Sequence, residues 1–148
     1  MIIEQATPND IIELSSTMTT ICRDEALAIG ASPAVVLWDS YQRSHERYAV
    51  RHNGFLCGVF GICDFVSIKG EKACGIWFIS SIHFPKVSFS FTKWVKKEFE
   101  VRKKRNEKFF AMVLSSYTQG IRWMEFIGMG EDKHFGIEPC PGFIMMTN

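Results

Sequence analysis

KFFAMVLSSYTQGIRWMEFIGM, Lys108 to Met129, is the stretch on which the reading turns. It opens with an unbroken apolar run, Phe109 to Leu114, too short for a helix of its own. Such a run reads as a strand buried on both faces. Ser115, Ser116 and Tyr117 follow as a polar break. Ile121, Met124 and Glu125 then recur at helical spacing, with Trp123, Phe126 and Ile127 widening the apolar stripe. Gly128 stands where a helix ends on a left-handed residue. A buried strand that turns into a helix leaves carbonyls free at the strand end and amides free at the helix start. A ligand site and a plain β-α unit both have this pattern.

Upstream, the signals alternate between strand and helix. Met1 to Ala6 reads as an edge strand. Thr7-Pro8-Asn9-Asp10 is a helix start, with Thr7 able to cap, Pro8 suited to the first position and Asp10 near the positive end of the dipole. That helix is expected over Pro8 to Thr19. A short helix over Arg23 to Ile29 stops at Gly30, and Ser32-Pro33 restarts one through about Ser44. Arg47 to Arg51 and Phe55 to Asp64 are two strands joined by Asn53-Gly54, a strong hairpin signal. Gly58 and Gly61 interrupt the second of them, as a bulge, a close backbone approach or crowded packing would require.

After a polar turn, Ala73 to Ile82 is expected as a fourth strand. A long helix follows, about Phe91 to Arg105, with Phe91, Val95 and Phe99 as one ridge and most basic residues on the other face. Asn106 can end it in the left-handed conformation. Downstream of Met129, Gly130 to Lys133 reads as a turn. His134 to Ile137 and Gly142 to Thr147 read as closing strands around a stiff Pro139-Cys140-Pro141 loop.

The 148 residues suit one domain, 1–148, and 47% hydrophobic composition is ample for a core. No apolar run reaches the ~20 residues of a membrane span, and the N-terminus has no positive n-region. Cys22, Cys57, Cys63, Cys74 and Cys140 form no CxxC pair and no zinc spacing, and are read as reduced thiols. Net charge is +1, but Lys93 to Lys108 carries eight Lys or Arg against three Glu, a local +5 over a remainder of −4. This basic helix, 93–105, is a candidate contact for nucleic acid or an acidic protein, or simply a solvated face.

GIRWMEFIGM (Gly120 to Met129) resembles the last conserved block of the GNAT superfamily of N-acetyltransferases. IIEQATPNDIIEL (Ile2 to Leu14) resembles that family's first strand and helix, and RYAVRHNGFLCGVFGI (Arg47 to Ile62) its second and third strands. Within the superfamily, GIWFISS (Gly75 to Ser81), the basic helix and SSYTQGIRWMEFIGM (Ser115 to Met129) resemble small GNAT-like proteins of short-tailed bacteriophages, the internal virion or core type. The resemblance implies an α/β (α+β) GNAT-like fold. Its sheet is mixed but mostly antiparallel, of six to seven strands, with a splayed central pair and helices on both faces.

The resemblance also implies a site. Acetyl-CoA would lie against Phe78, Ile79, Ser80 and Ser81 of the fourth strand, Lys86, Ser88 and Ser90 after it, and Ser115, Ser116 and Arg122 of the opening stretch. Asp24, Glu25, Trp38, Asp39 and Tyr41 would line the acceptor side. Tyr117 and Glu71 are the candidate catalytic residues, and no metal is implied.

Against the family pattern, HFPKVSFSF (His83 to Phe91) has no glycine where the family keeps bare backbone for a diphosphate. A side-chain site at Lys86, Ser88 and Ser90, and a simple helix cap by Ser88 or Ser90, are both open readings of it. The fourth strand has no carboxylate for a base, and Met124 stands where the family often has an acid Tyr. Two functions are therefore expected of such a chain. One is a non-catalytic role in virion assembly or as an internal component, in host cytoplasm or virion, with a phage or host protein partner. The other is acetyl-CoA-dependent N-acetyl transfer to a protein or small amine.

Overall fold

The structure is a computed structural model. It describes residues 1–148, except for the side chains of Phe65 and Ile68. The strands are β1 (Ile2–Gln5), β2 (Ser44–His52), β3 (Phe55–Ile68), β4 (Glu71–Ser80), β5 (Phe109–Leu114), β6 (Gly130–Glu131) and β7 (Phe143–Thr147). The helices are α1 (Pro8–Thr17), α2 (Thr20–Ala28), α3 (Pro33–Arg43), α4 (Ser88–Lys104) and α5 (Thr118–Ile127). The seven strands form one sheet in the order β1-β2-β3-β4-β5-β7-β6. β4 and β5 pair in parallel, through Cys74↔Phe109 and Gly75↔Phe110, while β1–β2, β2–β3, β5–β7 and β6–β7 are antiparallel. Past that parallel ladder β4 runs on to Ser80, and β5 runs on to Leu114 paired with β7. This is the mixed, mostly antiparallel sheet that the resemblance implies.

The chain divides into two compact units, residues 1–64 with 76–91, and residues 65–75 with 92–148. In the first unit both faces of the strands are covered. Ile11 and Leu14 of α1 and Met18 just after it, with Leu37 and Tyr41 of α3, pack on Ala49, Leu56 and Val59, joined by Trp77 and Ile79. The alternate residues face the other way. Phe78 stacks on Phe91 at the start of α4 (4.8 Å), and Phe60 meets the same ring at 5.8 Å. The period of two along each strand puts neighbours on opposite faces, so a strand covered on both sides must be apolar throughout.

In the second unit Phe109 faces Phe99 of α4 (5.4 Å) and its neighbour Phe110 faces Phe135 (5.0 Å). The face of Phe109, Ala111 and Val113 is buried, whereas on the other Phe110 is half-buried and Met112 is 41% exposed, so β5 is not buried on both faces as its unbroken apolar run suggests.

The local signals fold as their chemistry requires. Asp10 accepts from both the amide and the hydroxyl of Thr7 (2.7 and 2.8 Å), and Pro8 opens α1. Asn53 and Gly54 both take positive φ, 49° and 80°, the two-residue turn that matches strand twist. Asn106 (φ 59°) follows α4 and Gly128 (φ 104°) closes α5, both left-handed.

Several boundaries differ from expectation. α1 stops at Thr17, because Met18 leaves the helix to bridge Ser81. The expected polar turn is present but tighter: β3 runs to Ile68 and β4 begins at Glu71, since Lys69-Gly70 (φ 48° and 83°) makes a two-residue turn. α4 starts at Ser88, one turn early. Ser88 donates its hydroxyl to Pro85 O (3.3 Å) instead of capping the helix.

His134 to Ile137 is not a strand: Gly136 takes φ 95° and Phe135 turns inward to Phe110. The outer partner of β7 is instead Gly130–Glu131, expected as a turn.

Candidate functional site

The candidate residues fall on both units. On the first, Phe78 to Ser80 end β4 with Ser81 just past it, and Lys86, Ser88 and Ser90 follow in the 3-10 turn Phe84–Lys86 and the first turn of α4. On the second, Glu71 begins β4, while Ser115, Ser116, Tyr117 and Arg122 belong to the β5–α5 connection and α5.

The end of β4 is closed by the protein's own hydrogen bonds. Ser81 is fully buried (0% exposed). Its amide donates to Cys57 O (2.9 Å), and its hydroxyl donates to Leu56 O (2.6 Å) and accepts from the His83 amide (3.1 Å). The shift in β2–β3 register from Val50↔Gly58 to Arg51↔Leu56 leaves Cys57 as an extra residue in β3, a bulge of the kind that redirects local pairing.

On its other side Ser80 O accepts from the Thr19 amide (2.9 Å), Ser80 Oγ shares a hydrogen bond with Thr19 Oγ1 (2.9 Å), and the Ile82 amide donates to Thr17 O (2.9 Å). Cys22 Sγ lies 3.5 Å from Ser80 Oγ. The α1–α2 junction thus binds the tip of β4 as a short added strand.

The loop that follows is equally self-contained. The Phe84, Lys86 and Val87 amides donate to the carbonyls of Ser81, His83 and Phe84 (2.9–3.1 Å), and Pro85 has no N–H to give. Phe84 packs against Phe78 (4.9 Å) and, edge-on, Phe91 (5.6 Å). Val87 is buried, whereas Phe89 stands out into solvent, 72% exposed.

Lys86 does not point along the helix. Its Nζ lies over the ring of Phe55 (4.2 Å), which also meets His83 (4.7 Å). Burial pushes the Cys57 thiol above its ordinary range, with the Lys86 charge pulling partly the other way.

In the second unit Ser115 gives both its amide and its hydroxyl to Gly142 O (2.9 and 3.0 Å), fastening the β5 exit to the loop before β7. Ser116 and Arg122 are exposed. Tyr117 precedes α5, its ring packed so tightly over Gly120 that a Cβ there would lie 2.3 Å from it. Glu71 is ion-paired with Lys108, whose pKa the Glu71 carboxylate raises, through their hydrogen bond first and its charge second. Trp123 donates its indole N–H to Thr92 Oγ1 (2.8 Å).

Of the acceptor-side candidates, Tyr41 is buried with its hydroxyl on Ala6 O (3.4 Å) and its ring stacked on Trp38 (5.6 Å). Asp39 pairs with Arg43, and Asp24 is exposed. Sequence reasoning missed Thr17, Met18 and Thr19, whose role depends on a contact some 60 residues away in the chain. No local pattern marks it. Among the described residues no group of three or more His, Cys, Asp or Glu could hold a metal ion. No helix among them is long and apolar enough to cross a membrane.

Solved N-acetyltransferases are similar to this chain over nearly its whole length. Ribosomal-protein-alanine N-acetyltransferase from Brucella melitensis is similar with a TM-score of 0.64 at 13% identity, covering 100% of this chain and 99% of that one. The chain has the GNAT fold. Spermidine N-acetyltransferase from Vibrio cholerae, in complex with CoA and spermine, shares the fold with a TM-score of 0.66 at 12% identity, over 99% of this chain and 94% of that one. Aminoglycoside 6'-acetyltransferase type Ii shares it with 0.63 at 15%, over 100% and 96%. No family model matches the chain, and no curated protein matches it in sequence.

Proposed function

We propose that this GNAT-fold protein is a binding and assembly component that does not transfer acetyl groups. One observation carries the reading. Main-chain polar groups at the end of β4 and in the following turn bond to Thr17, Thr19, Cys57, the Ser81 hydroxyl and one another, where acetyl transfer would need such groups bare. A transferase needs amides aimed at the diphosphate and at the oxyanion of the thioester. The resemblance to internal proteins of short-tailed phages supplies the setting: host cytoplasm and virion, with a phage or host protein as partner.

A second reading, acetyl-CoA-dependent N-acetyl transfer, is favoured by the whole-length likeness to an enzyme held in complex with CoA and spermine. It would place the diphosphate on the first amides of α4, at Ser88 to Ser90, which precede the helical ladder. On that reading Tyr117 would act as the acid.

Release of free CoA thiol from acetyl-CoA, in the presence of a polyamine or a lysine peptide, separates the two. The proposal expects release at the uncatalysed rate, with or without measurable CoA binding by calorimetry. Turnover above that rate overturns it. Loss of such turnover in Tyr117→Phe would place the enzyme reading at the residues named.

A further inference from the structure

We propose that the outer face of α4, with the exposed ring of Phe126 on α5, binds single-stranded nucleic acid. This goes beyond the assembly role and stands whether or not acetyl transfer occurs. At 100° per residue, Lys93, Lys97 and Lys104 fall within about 40° of one another and span roughly 16 Å along the helix. Phe91 and Val95 lie opposite, buried. Arg102 is turned the same inward way, paired with Glu107 (3.2 Å) and set against Phe109 (5.9 Å). Lys97, Lys103, Lys104 and Arg105 are exposed and enter none of the salt bridges among the described residues.

α5 lies along one edge of this stripe. Two contacts fix it there: Trp123 Nε1 on Thr92 Oγ1 (2.8 Å) and Lys96 Nζ over the Phe126 ring (4.1 Å). Phe126 remains 55% exposed, and Arg122, one turn before it, is exposed as well. Residues 93–105 hold seven Lys or Arg against Glu98 and Glu100. That leaves 10 cations and 14 carboxylates elsewhere, a net of −4, so a polyanion is attracted to this face and repelled by the remainder. Lysine is depleted from the cores of protein interfaces, whereas phosphates accept from any ammonium. An exposed aromatic ring beside the cations suits an unpaired base, which every nucleotide of a single strand offers.

The test is fluorescence anisotropy of a labelled oligothymidylate titrated with the full chain between about 50 and about 200 mM salt. Neutralising ~4 phosphates gives a slope of about −3 in log K against log salt for a single strand. The double variant Lys97→Glu/Lys104→Glu should bind at least about tenfold more weakly with an unchanged thermal midpoint, since both residues are exposed. Phe126→Ala should weaken the oligothymidylate about tenfold and leave duplex DNA unaffected. Absence of binding at the lower salt, unchanged affinity in either variant, or poly-glutamate bound as tightly as the oligonucleotide each overturns the assignment.

Discussion

Thr19 donates its amide to the carbonyl of Ser80 at 2.9 Å, and the hydroxyls of the same two residues meet at 2.9 Å. A helix junction is thereby hydrogen-bonded to the tip of a strand that would otherwise end with free polar groups. Thr19→Val removes the hydroxyl contact and keeps the shape. It should cost about 1 kcal/mol in denaturant unfolding. A cost near zero would mean that the main-chain bond alone holds the junction.

Ser81 stands deeper. Its hydroxyl serves Leu56 O and the His83 amide with no exposed surface of its own. Ser81→Ala leaves both main-chain groups unpaired out of water, so about 2–3 kcal/mol of stability should be lost. Ser81→Cys, similar in volume but a weaker hydrogen-bonding group, should fall between the two. Urea midpoints of the three proteins give the ranking.

Gly58 and Gly61 are tied to β4. A Cβ at Gly58 would come within 2.6 Å of the Phe78 ring and 2.9 Å of Ile79 O, and one at Gly61 within 2.7 Å of Trp77 and 2.8 Å of Ser44 Oγ. Alanine at either position should destabilise by about 1–3 kcal/mol. Gly58→Ala should be the worse, because one of its contacts is main chain and cannot rotate away. In Gly61→Ala the indole N–H to Ser44 Oγ bond (2.7 Å) should break, and Trp77 fluorescence should report it.

What could be read in the sequence was whatever chemistry acts within a few residues. The Thr7–Asp10 cap, the Asn53-Gly54 turn, the Gly128 helix end and the all-apolar β5 each follow from their own residue types. The errors came where distant contacts decide. Phe135 leaves strand geometry to reach Phe110, and Met18 leaves a helix to bridge Ser81. The candidate site was legible as a loss, since the missing glycines of His83 to Phe91 are plain in the chain. What occupies the backbone there was not, because Thr17, Thr19 and Cys57 carry no signature of that task.

Cys57 gives a pH prediction. Burial, its largest influence, raises the thiol above its ordinary 9.0, so the folded state holds this proton more tightly than the unfolded chain does. Its contribution is complete below pH 9.0 and is lost as pH rises beyond that value through the folded pKa. Unfolding free energy should therefore decline above that point, and the decline should be shallower in Cys57→Ala after correction for the lost methylene-sized volume. At neutral pH Cys57 should also react with a thiol reagent more slowly than the half-buried Cys22, Cys63 and Cys140.

The guanidinium of Arg51 gathers Glu4, Asp10 and Glu13, and Asp10 is the buried member of the set. Burial, the largest single influence on Arg51, works against its charge, but the bonds and charges of Asp10 and Glu13 outweigh it and raise the pKa. Asp10 also holds the amide and hydroxyl of Thr7, so one carboxylate both starts α1 and neutralises a β2 cation. Asp10→Asn keeps an oxygen for the cap and removes the charge, whereas Asp10→Ala removes both. The alanine variant should lose about 2–3 kcal/mol, with roughly 1 kcal/mol of that recovered by asparagine. Equal losses in the two variants would assign the whole effect to the Arg51 pair. Full recovery by asparagine would assign it to the cap, with the surrounding carboxylates Glu4 and Glu13 sufficient to satisfy Arg51.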